Sequence, residues 1–300
     1  MKQTYSYPVQ FVILMALLGL FMVAGTFTLS LVGSQLLHCK VYELSAALTL
    51  PANANLSKLL NLGTTLIAFV LPTLLFSRII KKESETTFAV IGFSHITNSK
   101  LLIYTLPITC GGILVNGSLA EINQHIYLPA SLMEQAKALD LAYKTMMLNM
   151  AHINNVIDYL TALVVMALAP AIFEEILFRS TIQPLFIGWT KNVWVGIIIT
   201  SVFFSAIHFS FFGFLSRTAL GILLGLLFYY SKNIWFSILM HFLNNALIVT
   251  QLYIVGKQGK SLEKAMDENM PVWWGIVGLV ILWFSFKAFK KHSPILGNPL

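Results

Sequence analysis

Ala169–Pro170–Ala171–Ile172–Phe173–Glu174–Glu175–Ile176–Leu177–Phe178–Arg179 places two adjacent glutamates and an arginine inside an apolar stretch. An ionised side chain at the centre of a bilayer costs about 2.5–3.5 kcal/mol on insertion scales. A membrane helix keeps three such residues where something uses or neutralises them. Two further hydrophobic segments carry His208, and His241 with Asn245.

The rest of the chain fits that reading. Of its 300 residues 57% are hydrophobic and 10% charged, and the mean hydropathy is +0.78. Soluble domains carry about 25% charged residues. The expected fold class is all-α: a polytopic membrane helical bundle of about eight transmembrane helices. Strands are excluded because long apolar runs in lipid must satisfy their backbone hydrogen bonds internally. The net charge of +7 points to no nucleic-acid partner. Lys and Arg sit instead in short loops, as orientation signals and lipid-headgroup contacts do. Cys39 and Cys110 make no disulfide framework and no metal knuckle. Cys39 follows Leu36–Leu37–His38, a poor lipoprotein cleavage site.

Candidate spans fall at 9–32, 59–79, 100–119, 156–187, 192–213, 215–231, 233–255 and 272–289. The first is too long for a signal-peptide core and reads as an uncleaved helix. The third is the weakest, interrupted by Pro107, Gly111 and Gly112. With eight spans, Lys2, Arg78, Lys81, Lys82, Lys100, Lys191, Lys232, Lys287, Lys290 and Lys291 share one side. Lys40, Lys58, Lys137, Lys144, Arg217, Lys257, Lys260 and Lys264 share the other, diluted by acids such as Glu43, Asp140, Asp267 and Glu268. The positive-inside rule therefore places both termini in the cytoplasm. No internal repeat or linker is present. The chain reads as one structural domain with three parts. Residues 1–155 give N-terminal helices and an outer segment, 156–255 the helices that carry the polar residues, and 256–300 an outer loop, the last span and a tail.

Two segments are ambiguous. In 120–151, Ile122, Ile126, Leu132, Ala136, Leu139 and Tyr143 recur at helical spacing, as in an amphipathic helix on the outer surface. An ordinary connector fits equally well. From His152 to Ile187 a helix would run about 54 Å through a hydrocarbon layer of about 30 Å. It must overshoot, tilt or break, and Pro170 offers a kink. If residues 164–184 are the embedded part, Glu174 lies near mid-depth and His208 and His241 lie close to its level.

The polar residues divide into three groups. Glu174 and Glu175 point about 100° apart on a helix and cannot share a task. Glu175 and Arg179 are four apart with the acid first, the favourable order for an ion pair. Glu174 is left free, and in a dry site it can act as a general base. Snorkelling charges at a helix end are the other reading of this stretch. Phe204, four residues before His208, stacks on it and shields it from lipid; a lone histidine here could equally be a packing residue. His241 and Asn245 share a helix face and can donate hydrogen bonds to one point, as an oxyanion hole does. An interhelical polar clamp is the alternative. His38, His95, His125, His152 and His292 have no spaced partners, and Asp158 falls near a helix start.

Glu-Glu-x-x-x-Arg at 174–179, Phe-x-x-x-His at 204–208 and His-x-x-x-Asn at 241–245 occur in order, each on its own hydrophobic segment. Together they resemble the CPBP intramembrane proteases, which include the type II CAAX-processing endoproteases and the Abi bacteriocin-processing or immunity proteins. The resemblance covers roughly Asp158–Tyr253. It implies an endopeptidase in which Glu174 and His208 activate a water and His241 and Asn245 stabilise the oxyanion, while Glu175 and Arg179 hold the helix. Ser180 and Ser205 are then not nucleophiles. It implies no cofactor. A zinc site built from Glu174, His208 and His241 is the alternative, although no His-Glu-x-x-His helix is present and Glu175, the one candidate carboxylate behind an imidazole, is claimed by Arg179. The expected partners are the lipid bilayer and a peptide or membrane-protein substrate, reached through a cavity open to the cytoplasm or laterally to lipid. The expected location is a bacterial plasma membrane. A non-catalytic peptide-binding or bacteriocin-immunity protein is the alternative function; a transporter would need a repeated half, which is lacking.

Overall fold

Proline decides where the long helices widen. In the computed structural model, which describes residues 5–80, 91–94, 98–267 and 270–297, three single π turns occur, at Leu66–Val70, Leu163–Leu168 and Phe178–Ile182. Each ends two residues before a proline: Pro72, Pro170 and Pro184. A helical proline lacks the N–H for its own bond, and its ring collides with the carbonyl four residues back. Widening that turn removes the collision. The N–H groups of Leu71, Ala169 and Gln183 accordingly donate five residues back, to Leu66, Val164 and Phe178. The kink expected at Pro170 is thus a π turn inside a continuous helix. Lys2, Lys81, Lys82, His95, Glu268 and the side chain of Asp267 lie outside the described residues.

The elements are α1 (Tyr7–Leu36), α2 (Pro51–Ile80), α3 (Ser99–Gln124), α4 (Ala130–Met150), α5 (Val156–Thr190), α6 (Val193–Ala206), α7 (Phe214–Ser231), α8 (Ile234–Lys257), α9 (Leu262–Asp267) and α10 (Trp273–Lys291). Short helical turns link α1 to α2. The described residues contain no strand. Seven helices (α1, α2, α3, α5, α7, α8 and α10) are long and apolar enough to cross a membrane. The fold is an all-α membrane bundle. The span expected at 192–213 contains only the 14 residues of α6, so His208 sits in the turn that follows it.

Two connections share one local chemistry. Lys191 and Lys232 both adopt φ 53, in the left-handed region. The asparagine after each, Asn192 and Asn233, caps the next helix with its side-chain oxygen. Thr190 and Ser231 close the turns by donating to the carbonyls of those asparagines. The α5–α6 and α7–α8 hairpins are therefore tight.

Two expectations change. Pro107, Gly111 and Gly112 do not interrupt α3, which is continuous. Its glycines permit close packing: a Cβ on Gly111 would lie 2.9 Å from the carbonyl oxygen of Gly278 in α10. Segment 120–151 does contain a helix, α4, but its inward face is Ala136, Asp140 and Met150, while Leu132 and Leu139 stay half exposed. One apolar cluster joins Leu14, Phe76, Ile108, Phe178, Phe204, Leu224, Phe236 and Phe289, one from each of α1, α2, α3, α5, α6, α7, α8 and α10.

α10 measures depth. Its 19 residues span about 28 Å, roughly the hydrocarbon thickness. Trp273 and Trp274 stand exposed at one end, as belt aromatics do, and Lys287, Lys290 and Lys291 at the other. Gly278, about 8 Å from the Trp273 end, meets Gly111; the adjacent Gly112 packs on Met240, the neighbour of His241. The polar residues therefore sit nearer the Trp273 end than mid-depth.

Candidate active site

Glu175 is the fixed point of the site. Its Oε2 accepts from Arg179 Nε at 3.0 Å, and neither side chain has any exposed surface. This is the expected i,i+4 pair. Arg179 also reaches Gln183 Oε1 at 3.5 Å, while Gln183 Nε2 donates to the Gly225 carbonyl at 3.0 Å. The pair is thereby tied to α7. Arg179 does not claim the whole carboxylate, however. Glu175 Oε1 meets His241 Nδ1 at 3.1 Å. The expectation that no carboxylate supports an imidazole is corrected: two separate oxygens allow both contacts.

Orientation follows from that bond. An ionised carboxylate only accepts, so His241 Nδ1 carries a proton. His241 Nε2 then faces Glu174, whose Oε2 lies 3.9 Å away. Glu174 Oε2 is buried and has no hydrogen-bond partner. His208 is set in a similar way, its Nδ1 lying 2.8 Å from the Phe204 carbonyl. A carbonyl only accepts, so in the neutral ring Nε2 keeps its lone pair.

Phe204 does more than shield His208. Its ring meets those of His208 and His241 edge-on, at 5.3 and 5.7 Å, and packs edge-on against Phe178. The guanidinium of Arg179 sits 5.4 Å from the same ring. Asn245 accepts from Asn244 Nδ2 at 3.2 Å through its side-chain oxygen, which leaves its own amide N–H groups free to donate. Ser180 and Ser205 donate to the carbonyls of Ile176 and Phe214.

A cavity of about 750 Å³ brings Glu174, Phe204, His208, His241 and Asn245 to one wall. All four expected catalytic side chains line it; Glu175 and Arg179 stand behind. The opposite wall comes from α4 and the start of α7. It contains Arg217, which by sequence alone counts among the charges of the outer side. Arg217 Nη2 donates to the Ser210 carbonyl at 2.8 Å and its guanidinium lies 5.4 Å from the Tyr143 ring. Its Nε is buried without a partner. Ser210 in turn donates to Asp140 at 2.8 Å, and Asp140 pairs with Lys144 at 3.1 Å. The turn carrying His208 is therefore bound to α4. An arginine one turn inside an apolar span was the available signal, of the same kind as the Glu174 signal. Among the described residues no three His, Cys, Asp or Glu side chains are grouped closely enough to hold a metal ion.

Glu174, His208, His241 and Asn245 thus meet at one cavity inside a bundle of apolar helices. Residues 156–247 match the family model described as type II CAAX prenyl endopeptidase Rce1-like, consistent with the CPBP family, and this stretch holds every residue of the constellation. The match covers under a third of the chain, and over that stretch the chain is similar to a family of membrane endopeptidases. No curated protein and no solved structure matches the chain.

Proposed function

We propose that the chain hydrolyses a peptide bond of a peptide or membrane-associated protein, using Glu174, His208, His241 and Asn245 and no metal. Glu174 and His208 Nε2 hold a water in the cavity and take one of its protons. The resulting hydroxide adds to the scissile carbonyl carbon. His241 Nε2 and the Asn245 amide donate to the oxygen that becomes negative. Collapse of the tetrahedral species breaks the C–N bond, and the proton held at Glu174 passes to the departing amine.

The observation that carries this reading is Glu174 Oε2, a buried, unpartnered acceptor facing the cavity beside His241. Leaving such an atom without a donor costs free energy. A water or a substrate N–H supplies the missing partner. The Glu175 bond sets a condition on His241. With the Nδ1 proton committed to Glu175, Nε2 donates only when the ring carries a proton on both nitrogens.

The test is proteolysis by purified protein in detergent against mixed apolar and lipidated peptides, with Glu174→Ala, His208→Ala and His241→Ala alongside, each with and without chelator. Cleavage lost in all three variants and indifferent to chelator supports the proposal. Cleavage abolished by chelator and restored by zinc moves the same three residues into a metal site. Binding of a peptide by the wild-type protein without cleavage favours the binding or immunity function.

A further inference from the structure

Of the four residues that meet at the cavity, His208 alone is not held by a helix. Glu174, His241 and Asn245 lie within α5 and α8, where the helical backbone fixes them. α6 ends at Ala206 and α7 begins at Phe214, so His208 sits in the short turn between them. Its neighbour Phe209 has φ 50, in the left-handed region. A bulky L side chain disfavours that region, and such a backbone persists where the surroundings impose it. The position of His208 therefore depends on what grips the turn.

The ends of the turn are tied within the bundle. Ser205 donates to the Phe214 carbonyl at 2.8 Å, and the Leu215 N–H donates to Asn123 of α3 at 2.8 Å. The middle is tied at Ser210, which is buried and held twice. Its carbonyl accepts from Arg217 Nη2 at 2.8 Å, and its hydroxyl donates to Asp140 Oδ1 at 2.8 Å. Gly213 makes room for the first bond, since a Cβ there would run into the Arg217 guanidinium. The second bond comes from α4. Asp140 is itself buried and pairs through Oδ2 with Lys144 at 3.1 Å. An ionised carboxylate only accepts, so Asp140 takes the two donors on separate oxygens. Its charge makes the bond from Ser210 stronger than one between neutral groups.

We infer that Asp140 is a positioning residue for His208: through Ser210 it holds the turn in the shape that sets the imidazole in the cavity wall. The role of His208 rests on the protease reading, but the placement of its ring does not. Asp140 lies outside the stretch, 156–247, that matches the family model. α4 thus has two tasks. Leu139, Tyr143 and Met146 line the cavity, and Asp140 fixes a histidine 68 positions further along the chain. Without the bond to Ser210, Phe209 is free to leave the left-handed region, and the adjacent ring moves with it. A misplacement of about 1 Å in a reacting group costs about 100-fold in rate.

Histidine NMR tests the placement without any proteolysis. The full chain, labelled with carbon-13 at the Cε1 of its seven histidines, is compared in detergent as wild type, Ser210→Ala, Asp140→Ala and the double variant. His208→Gln and His241→Gln assign the two signals that matter. Ser210→Ala removes one hydroxyl and leaves the Arg217 and Lys144 contacts in place, so it decides the question alone should Asp140→Ala fail to fold. The expected result is that the His208 signal moves in each single variant and no further in the double one, because both break the same bond, while the His241 signal stays. In proteolysis, kcat falls by about 10–100-fold with KM little changed. A His208 signal that stays put in Ser210→Ala overturns the inference. So does an equal movement of the His208 and His241 signals, which marks general loosening, and so does an unchanged kcat in both variants. The expected NMR pattern in a wild-type protein that cleaves nothing would remove the protease reading and leave Asp140 as the residue that places the ring.

Discussion

Glu175 holds His241 and Arg179 on its two different oxygens, at 3.1 and 3.0 Å. An amide at this position keeps the shape but offers one accepting oxygen. Glu175→Gln is therefore expected to lower kcat by about 10–100-fold, the usual effect of losing the partner that orients a working histidine. Its melting temperature in detergent should fall, but by less than that of Glu175→Leu, because the amide oxygen can still accept from Arg179. Glu175→Leu differs, because it strands a buried guanidinium; breaking such a pair costs about 3–5 kcal/mol. Thermal unfolding of the two variants side by side checks both statements. Equal melting losses would mean that the charge of Glu175, not its accepting oxygen, is what holds Arg179.

Glu174 makes no structural bond through its buried Oε2. Glu174→Gln is expected to reduce kcat by about 10²–10⁴-fold, the range for loss of a general base. Stability should hold or rise slightly, since a buried charge is removed. A variant that keeps wild-type turnover would take Glu174 out of the reaction.

Asn245 donates nothing to the protein that the fold depends on; its side-chain oxygen only accepts from Asn244. Asn245→Ala should cost about 10²–10³-fold in kcat with KM little changed, as for one oxyanion donor. A rise in KM at constant kcat would instead mark Asn245 as a substrate-binding group.

Gly111 and Gly278 leave no room for a methyl group between α3 and α10. The nearest atom is backbone, which cannot swing aside. Gly111→Val should destabilise by about 1–3 kcal/mol, the range for overpacking. Circular-dichroism melting in detergent reads this directly, and unchanged melting would mean that the helices separate freely.

Hydropathy made the spanning helices legible, and spacing made legible the polar residues that meet in the cavity. Glu175–Arg179, Phe204–His208 and His241–Asn245 are all i,i+4 pairs, and fixed geometry within one helix lets such pairs be read without a structure. What was illegible depends on contacts between helices. The bond from Glu175 to His241 joins residues 66 apart in the chain, and no local pattern announces it. Arg217 and Lys58 looked like loop charges because charge was counted by span boundary. Arg217 lies inside α7 and Lys58 is buried within α2. The break expected at Gly111 and Gly112 failed for a related reason. Glycine weakens an isolated helix, but here it lets two helices touch.

The π turns before Pro170 and Pro184 bracket Glu174 and Glu175. Each holds one residue more than an α-helix of the same rise would need. A relative without the proline can dispense with that residue and keep both glutamates aimed at the same neighbours. Aligned sequences should therefore show single-residue gaps at 163–168 and 178–182, paired with loss of Pro170 or Pro184. Between those gaps, the nine residues from Ala169 to Leu177 should be inherited as one block.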